Sequence, residues 1–335
     1  MESNVIGFEE HYKLPAIQEA NRDNPGELVF DVWKKVGRFQ TDAQGGWPAG
    51  IYDLGEGRIA AMDAAGIDVQ ILSHTSPGPE TLEPSLAVDL AKQANDAVAA
   101  AVSKYPERFL GFATLPMLNP EAAASELERV VRDQGFVGAL INGHVNGRYL
   151  DDKFFWPVFE CAETLDVPIY LHPVLPPKPV VDAYYSGFDP YVSSNLSAAG
   201  LGWHIDTAIH CMRLILGGVF DRFPRLQIIV GHQFEALSWM AWRTDYSFQP
   251  EREWRPQTHH QGISSRKLLR RHPRRRLREP GIRCRGQQLE PVLQRLSRHG
   301  EPDRDRPGSL HHRLSIRQHE SRSPIPRPDA HQPRR

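Results

Sequence analysis

The chain has 335 residues, 40% of them hydrophobic and 24% charged, which is enough for one large domain or two smaller ones. It has no run of 18 apolar residues, so no transmembrane helix is expected, and its N-terminus lacks the basic start and apolar stretch of a signal peptide. Three widely spaced cysteines, an odd number, favour a reduced, cytoplasmic protein (Cys161, Cys211 and Cys284).

The net charge of −1 conceals an abrupt change in composition near residue 250. Residues 251–335 contain 21 Arg and 1 Lys against 9 acidic residues, whereas residues 1–250 contain 18 basic and 32 acidic residues. Every Phe, Tyr and Met precedes residue 251, and only 16 of the last 85 residues are hydrophobic. Burial of so few apolar side chains cannot offset the conformational entropy that a chain loses when it folds. We therefore expect residues 251–335 to form a disordered Arg/Pro-rich tail.

The first 250 residues alternate between strand and helix patterns. Short apolar runs predict strands at 5–11, 69–73, 109–113, 136–141, 167–172 and 226–232. Helical periodicity and capping residues predict helices at 56–65, 84–104, from Asn119-Pro120 to near Gly135, 152–165, 201–219 and 235–245.

This alternation predicts an α/β protein with a mostly parallel sheet and helices outside it. The expected architecture is a (β/α)8, TIM-like barrel, of which residues 1–250 supply six units. A closed barrel needs two more βα units. The remaining 85 residues are long enough to form them, but their composition is not that of strands and helices with a buried face.

Three of the predicted strands end in a histidine. Glu9 and His11 are two residues apart, so their side chains point the same way, and His172 ends a different strand. The carboxyl ends of barrel strands surround one point, so these three residues are candidate ligands of a single divalent ion, zinc or manganese. The alternative is that each histidine is an ordinary strand-end residue with a local hydrogen bond.

His232 ends a third strand, and Glu235 lies three residues further on. Glu235 is a candidate to orient the His232 imidazole, although it could simply be a favourable charge at a helix N-terminus. Arg243 is a candidate clamp for a substrate carboxylate or a structural arginine. His204 and His210 fall on the helix 201–219 without a partner pattern, so we expect them to be packing or surface residues.

These residues belong to a wider set of motifs. The set comprises Phe8-Glu9-Glu10-His11, Arg58, Met62-Asp63, Gly66-Ile67, Tyr105-Pro106-Glu107-Arg108-Phe109, Gly135-Phe136-Val137-Gly138-Ala139, Tyr170-Leu171-His172-Pro173 and Gly231-His232 with Glu235. Over residues 5–247 it resembles the decarboxylase branch of the amidohydrolase superfamily. That branch includes γ-resorcylate, 2,3-dihydroxybenzoate, 5-carboxyvanillate and aminocarboxymuconate-semialdehyde decarboxylases.

The resemblance implies a metal-dependent, non-oxidative decarboxylase (a carboxy-lyase) of an aromatic or conjugated carboxylic acid. Glu9, His11 and His172 would hold the ion, His232 and Glu235 would form the catalytic pair, and Arg243 would touch the substrate. The implied partners are a small carboxylic acid and further copies of the chain, as a dimer or tetramer. No membrane or nucleic-acid partner is expected. The alternatives are a metal-dependent hydrolase of the same superfamily and a non-catalytic product whose basic tail binds polyanions.

The sequence departs from the branch at two points. Phe234 stands where the branch usually has glycine. In the branch, a late aspartate followed by an aromatic residue and proline is the fourth metal ligand and also the favoured acid for the ring carbon. It has no counterpart among the late aspartates of this sequence.

We therefore favour a shift of the coding frame near residues 250–260 over a genuine basic arm. With codons chosen to fit, dropping the first base from the stretch 312–319 yields Thr-Asp-Tyr-Pro-Tyr-Asp-Asn-Met, with the first base of the Glu320 codon completing the last triplet, and this contains the missing aspartate motif. The gene's nucleotide sequence tests this hypothesis.

Overall fold

The computed structural model of the protein describes residues 5–24, 29 and 49–248. These residues form a six-stranded parallel sheet in the order β1-β2-β3-β4-β5-β6, so each strand pairs with its neighbour in the chain. The strands are β1 (Ile6–Tyr12), β2 (Val69–His74), β3 (Phe109–Ala113), β4 (Gly138–Asn142), β5 (Ile169–His172) and β6 (Ile228–Val230).

Helices connect the strands. Within the described residues they are α1 (Pro15–Ala20), α2 (Glu56–Ala65), α3 (Pro84–Lys104), α4 (Pro120–Asp133), α5 (Trp156–Leu165), α6 (Lys178–Val180), α7 (Pro190–Ser197), α8 (Gly202–Leu216), α9 (Val219–Arg222), α10 (Gly231–Phe234) and α11 (Leu237–Ser247). Short 3-10 turns lie at Ala49–Ile51, Pro79–Thr81 and Lys153–Phe155, and a π turn at Val181–Tyr185. The cap predicted for α4 is present, since Asn119 accepts a hydrogen bond from the Ala122 amide.

The sheet is curled. In a flat sheet, β1 and β5 would lie about 19 Å apart, four strand spacings. Instead the rings of Phe8 on β1 and Tyr170 on β5 have centroids 6.4 Å apart, and Phe8 also meets Phe112 on β3 edge-on at 5.7 Å. Phe112 and Tyr170 belong to a small buried cluster on the inner face, and Phe8 is partly buried against it. The larger core fills the space between the sheet and the outer helices.

The α/β class and the parallel sheet predicted from the sequence are confirmed. Closure of the sheet into a (β/α)8 barrel requires the last two units, and the predictions for residues 251–335 lie outside the described residues. No helix among the described residues is long and apolar enough to cross a membrane.

The chain after β5 differs in detail from the prediction. The strand expected at 226–232 ends at Val230, and Gly231 begins the single turn of α10. The helix expected from residue 235 begins at Leu237, because Glu235 has φ 51° and interrupts the helical path. His232 and Glu235 therefore occupy a tight bend instead of a strand end and a helix start.

Candidate active site

Glu9, His11 and His172 converge at the carboxyl ends of β1 and β5. The Glu9 Oε1 atom lies 3.4 Å from His11 Nε2 and 3.3 Å from His172 Nε2, and the two Nε2 atoms are 3.1 Å apart. The structure thus brings together the three ligand atoms predicted from the sequence, and they form a cluster that could hold a metal ion. His11 and His172 come from positions 161 residues apart in the chain.

The hydrogen bonds of this cluster suit a cation. His11 Nδ1 lies 3.2 Å from Ser73 Oγ. If Nδ1 carries the proton and donates it there, the lone pair of His11 Nε2 faces His172 Nε2. Ligands about 2.1 Å from one ion are separated by roughly 3.0–3.4 Å along a coordination edge. The three observed separations match that range, so the donor set fits a divalent ion.

Tyr170 holds the second oxygen of Glu9. Its hydroxyl donates a hydrogen bond to Glu9 Oε2. Burial raises the pKa of Tyr170, and the Glu9 charge raises it further, so the phenol keeps its proton. Burial alone would also raise the pKa of Glu9, but hydrogen bonds with His11, His172 and His232 outweigh it and hold that pKa far below its usual range.

Glycine at position 231 makes room for this contact. A Cβ atom on Gly231 would collide with the Tyr170 hydroxyl and would lie 3.1 Å from Glu9 Oε2. A side chain at this position would therefore push the Glu9 carboxylate out of place.

His232 and Glu235 form the expected pair beside the three-residue cluster. His232 Nδ1 lies 2.7 Å from Glu235 Oε1, and His232 Nε2 lies 3.4 Å from Glu9 Oε1. The hydrogen bond with Glu235, followed by that with Glu9, raises the pKa of His232 to about 10. The pair lies on a strained backbone, since both residues have positive φ at a cost of about 1–3 kcal/mol each.

His204 is a site residue that the sequence did not reveal. It lies on α8, and its Nδ1 contacts Glu235 Oε2 on the side of the carboxylate away from His232. The Glu235 side chain is fully buried between the two imidazoles. The expectation that His204 is only a packing or surface residue does not describe this contact, which arises from tertiary packing of α8 on the bend at Glu235.

Arg243, Glu10 and His210 lie outside these contacts. Arg243 lies on α11, where it is exposed, and its contact with a substrate stays a prediction. Glu10 accepts a hydrogen bond from Gln70 on β2, with Nε2 and Oε2 2.8 Å apart. His210 is fully buried and accepts a hydrogen bond from the Leu150 amide at 3.0 Å, as a packing residue would.

Comparison with known proteins agrees with this fold. The family model described as amidohydrolase matches residues 32–300. The chain is 37% identical over 245 residues to decarboxylase orsB of Emericella nidulans, which covers 71% of this chain and 68% of that protein. It is also 37% identical over 248 residues to the γ-resorcylate decarboxylase of a Rhizobium species, covering 72% and 70%.

A solved structure gives the same result. The crystal structure of 5-carboxyvanillate decarboxylase from Novosphingobium aromaticivorans, complexed with manganese and 4-hydroxy-3-methoxy-5-nitrobenzoic acid, matches with a TM-score of 0.64 and 36% identity. The match covers 74% of this chain and 70% of that one.

The chain belongs to the amidohydrolase family, within its decarboxylase branch. The resemblance drawn from the sequence motifs is confirmed, and with it the expectation of an enzyme of the carboxy-lyase class. The hydrolase alternative agrees less well with these relatives. The expected divalent cofactor is supported by manganese in the solved relative and by the Glu9, His11 and His172 cluster, and manganese is the more specific of the two expected metals.

Proposed function

We propose that this chain removes carbon dioxide from a hydroxylated aromatic carboxylic acid at the site formed by Glu9, His11 and His172. The convergence of one carboxylate and two imidazoles with donor separations of 3.1–3.4 Å carries the proposal. The relatives support the substrate class, because γ-resorcylate and 5-carboxyvanillate are both hydroxylated benzoates.

The chain's own residues supply binding and proton transfer. A bound divalent ion would hold the substrate carboxylate and a neighbouring oxygen, which fixes the orientation of the ring. Glu9 and the two imidazoles provide the ligand atoms, and Tyr170 keeps the Glu9 carboxylate in place.

His232 holds the proton that the ring carbon receives. Its Nε2 is the ring nitrogen nearest the metal cluster, and the Glu235 carboxylate stabilises the protonated imidazole through Nδ1. The proton forms a new bond to the carbon that carries the carboxylate. The bond to the carboxylate then breaks, its electron pair restores the aromatic ring, and carbon dioxide leaves. Arg243 is proposed to contact the substrate carboxylate.

Manganese-loaded protein and a panel of hydroxybenzoates test this function. We expect release of carbon dioxide from at least one member and about 10²- to 10⁴-fold lower turnover in Glu235→Gln, which keeps the shape of the side chain and removes its charge. The metal content should stay the same in this variant. Cleavage of lactones or amides without carbon dioxide release would replace the proposal with the hydrolase function.

The region after residue 250 bears on whether the chain as written is active. We propose that residues 1–250 supply six βα units of a (β/α)8 barrel and that residues 251–335 follow a shifted frame. The family match extends to residue 300 and so into this segment. The nucleotide sequence of the gene tests the frame-shift hypothesis. If the alternative reading frame does not encode the Asp-aromatic-Pro motif, the hypothesis is wrong.

Protein made from a corrected frame provides the functional comparison. We expect it to bind one metal ion and to decarboxylate faster than the chain as written. Equal activity and melting temperature of the two proteins would contradict the proposal. The cytoplasmic location and the homo-oligomeric state stay predictions, which fractionation and light scattering can check.

A further inference from the structure

The Glu235 carboxylate is enclosed by two histidines from different parts of the chain. His232 lies on α10 and His204 on α8, and their ring planes are nearly perpendicular, at 88°, with centroids 5.2 Å apart. Each ring presents Nδ1 to a different oxygen of the same carboxylate. Of these three residues, the decarboxylase function proposed above uses only His232 and Glu235, which leaves His204 without a role.

The contacts of His204 fix the direction of its Nδ1–H group. A carboxylate can only accept, so Nδ1 donates to Glu235. The other ring nitrogen, Nε2, has a partner for either protonation state of the ring. The Trp203 indole N–H can donate to it at 3.1 Å, and the Ala199 carbonyl can accept from it at 3.1 Å. The imidazole is thus held from both ends.

The same three groups could also be taken for a second metal site, and the distances decide against it. The His232 Nδ1 to Glu235 Oε1 separation is 2.7 Å, and His204 Nδ1 contacts the other oxygen, Oε2. Ligands of one divalent ion lie about 3.0 Å apart or more along an edge. Separations of this size fit charge-assisted hydrogen bonds to a buried carboxylate.

The hydrogen bond from His204 to Glu235 is formed at an unusual position of the backbone. Glu235 has φ 51° and ψ −150°, a conformation that a glutamate rarely adopts, between the ends of α10 and α11. A carboxylate on such a bend can turn about its side-chain torsions unless both oxygens are held. The His232 imidazole contacts Oε1 and the His204 imidazole contacts Oε2, so the two rings together hold the carboxylate.

We propose that His204 is a positioning residue that holds the second oxygen of Glu235 and thereby aims the His232 imidazole at the metal site. This proposal rests on the decarboxylase function proposed above. Loss of His204 leaves substrate and metal binding intact because His204 touches neither the Glu9, His11 and His172 cluster nor, by this assignment, the substrate. It lowers the rate of proton delivery from His232.

Three substitutions of His204 test this role in the manganese-loaded full chain. They differ in where the new side chain places a hydrogen-bond donor. His204→Asn places an amide nitrogen near the position of Nδ1, His204→Gln places one near Nε2, and His204→Ala places none. We expect about a 10- to 100-fold loss of kcat with little change in KM for the Ala and Gln variants, the usual loss when a residue that orients a ligand is removed. His204→Asn should recover most of the rate. Equal losses in Asn and Gln that follow their melting temperatures would overturn the proposal and indicate a purely structural residue.

A spectroscopic measurement separates this inference from the function on which it rests. Protein labelled with 15N in its histidine rings should show downfield N–H protons from His204 and His232, and His204→Asn should lack the first. Absence of that signal from the unchanged protein would overturn the inference even if carbon dioxide is released. If no hydroxybenzoate is decarboxylated and the signal is present, the function fails and the hydrogen bond stands. Metal analysis should give one ion per chain, whereas two ions, one of them lost in His204→Ala, would replace the hydrogen bond with a second metal site.

Discussion

The Tyr170 hydroxyl donates a hydrogen bond to Glu9 Oε2, the carboxylate oxygen that does not face the imidazoles of His11 and His172. Tyr170 lies two residues before His172 on β5, so one strand supplies both a proposed ligand and the group that holds Glu9, another proposed ligand, in place. Together with the contact between the rings of Phe8 and Tyr170, this hydrogen bond links β1 to β5 across the curled sheet.

Tyr170→Phe should therefore weaken metal binding while leaving the inner packing in place. The ring would still contact Phe8 and Phe112, and only the hydroxyl would be lost. We expect the dissociation constant for manganese to rise about 10- to 100-fold, measured by titration calorimetry. Tyr12→Phe is the matched control, because the Tyr12 hydroxyl is bonded to the Ala94 carbonyl at 3.1 Å. Unchanged affinity in Tyr170→Phe would show that the contact does not position Glu9.

Gly231→Ala should also weaken the metal site, by steric displacement. The added Cβ would meet the Tyr170 hydroxyl and approach Glu9 Oε2 at 3.1 Å. We expect lower manganese occupancy, measured by elemental analysis after gel filtration, and a lower melting temperature. Gly50→Ala is the control, since nothing lies within 4 Å of the Cβ position there. Full occupancy in Gly231→Ala would mean that the strands relax to accommodate the methyl group.

Asn95, which lies outside the candidate site, is expected to contribute strongly to the free energy of unfolding. It is fully buried on α3, donates to the Thr114 carbonyl at 2.9 Å and to Glu126 at 2.7 Å, and accepts from the Thr114 amide at 2.8 Å. Asn95→Ala leaves these partners unsatisfied, and we expect about 2–4 kcal/mol of destabilisation in urea unfolding. Glu128→Gln on α4 removes only an exposed ion pair with Arg132 and should change the stability by less than about 1 kcal/mol. Similar losses in both variants would contradict the prediction.

The buried His210 predicts part of the pH dependence of stability. Burial lowers the pKa of His210 to about 3, whereas an unfolded chain has a histidine pKa near 6.5. The unfolded state therefore binds a proton that the folded state does not, and the free energy of unfolding falls as the pH drops from about 6.5 towards 3, by up to ~1.4 kcal/mol per pH unit.

His210→Gln removes this titration, and its amide oxygen can still accept a hydrogen bond. The free energy of unfolding, measured in urea at pH 7 and pH 4.5, should fall less on acidification in the variant than in the unchanged protein. An equal fall would show that His210 takes up its proton without unfolding of the chain.

Strand and helix positions were largely predictable because their signals are local. The helices at 56–65 and 84–104 begin and end within one residue of their predicted bounds, and Glu9, His11 and His172 meet as the strand-end argument required. The role of Tyr170 could have been inferred as well, since it shares a strand face with His172.

The features that escaped prediction depend on contacts between distant segments. The break at Glu235 follows no helix-stop signal in the sequence, because glutamate at positive φ is uncommon and persists only where packing enforces it. His204 carries no local motif. Its contact with Glu235 exists only because α8 packs beside a bend 31 positions later in the chain.

The separation of the proposed metal ligands along the chain has a consequence for biosynthesis. Glu9 and His11 emerge first from the ribosome, yet the other imidazole of the cluster follows 161 positions after His11. A nascent chain cannot assemble this triad until β5 has been translated and docked. Binding of the ion at this site is therefore expected late in synthesis. Manganese bound at this site during translation would show that strands β1 to β5 have already formed the sheet.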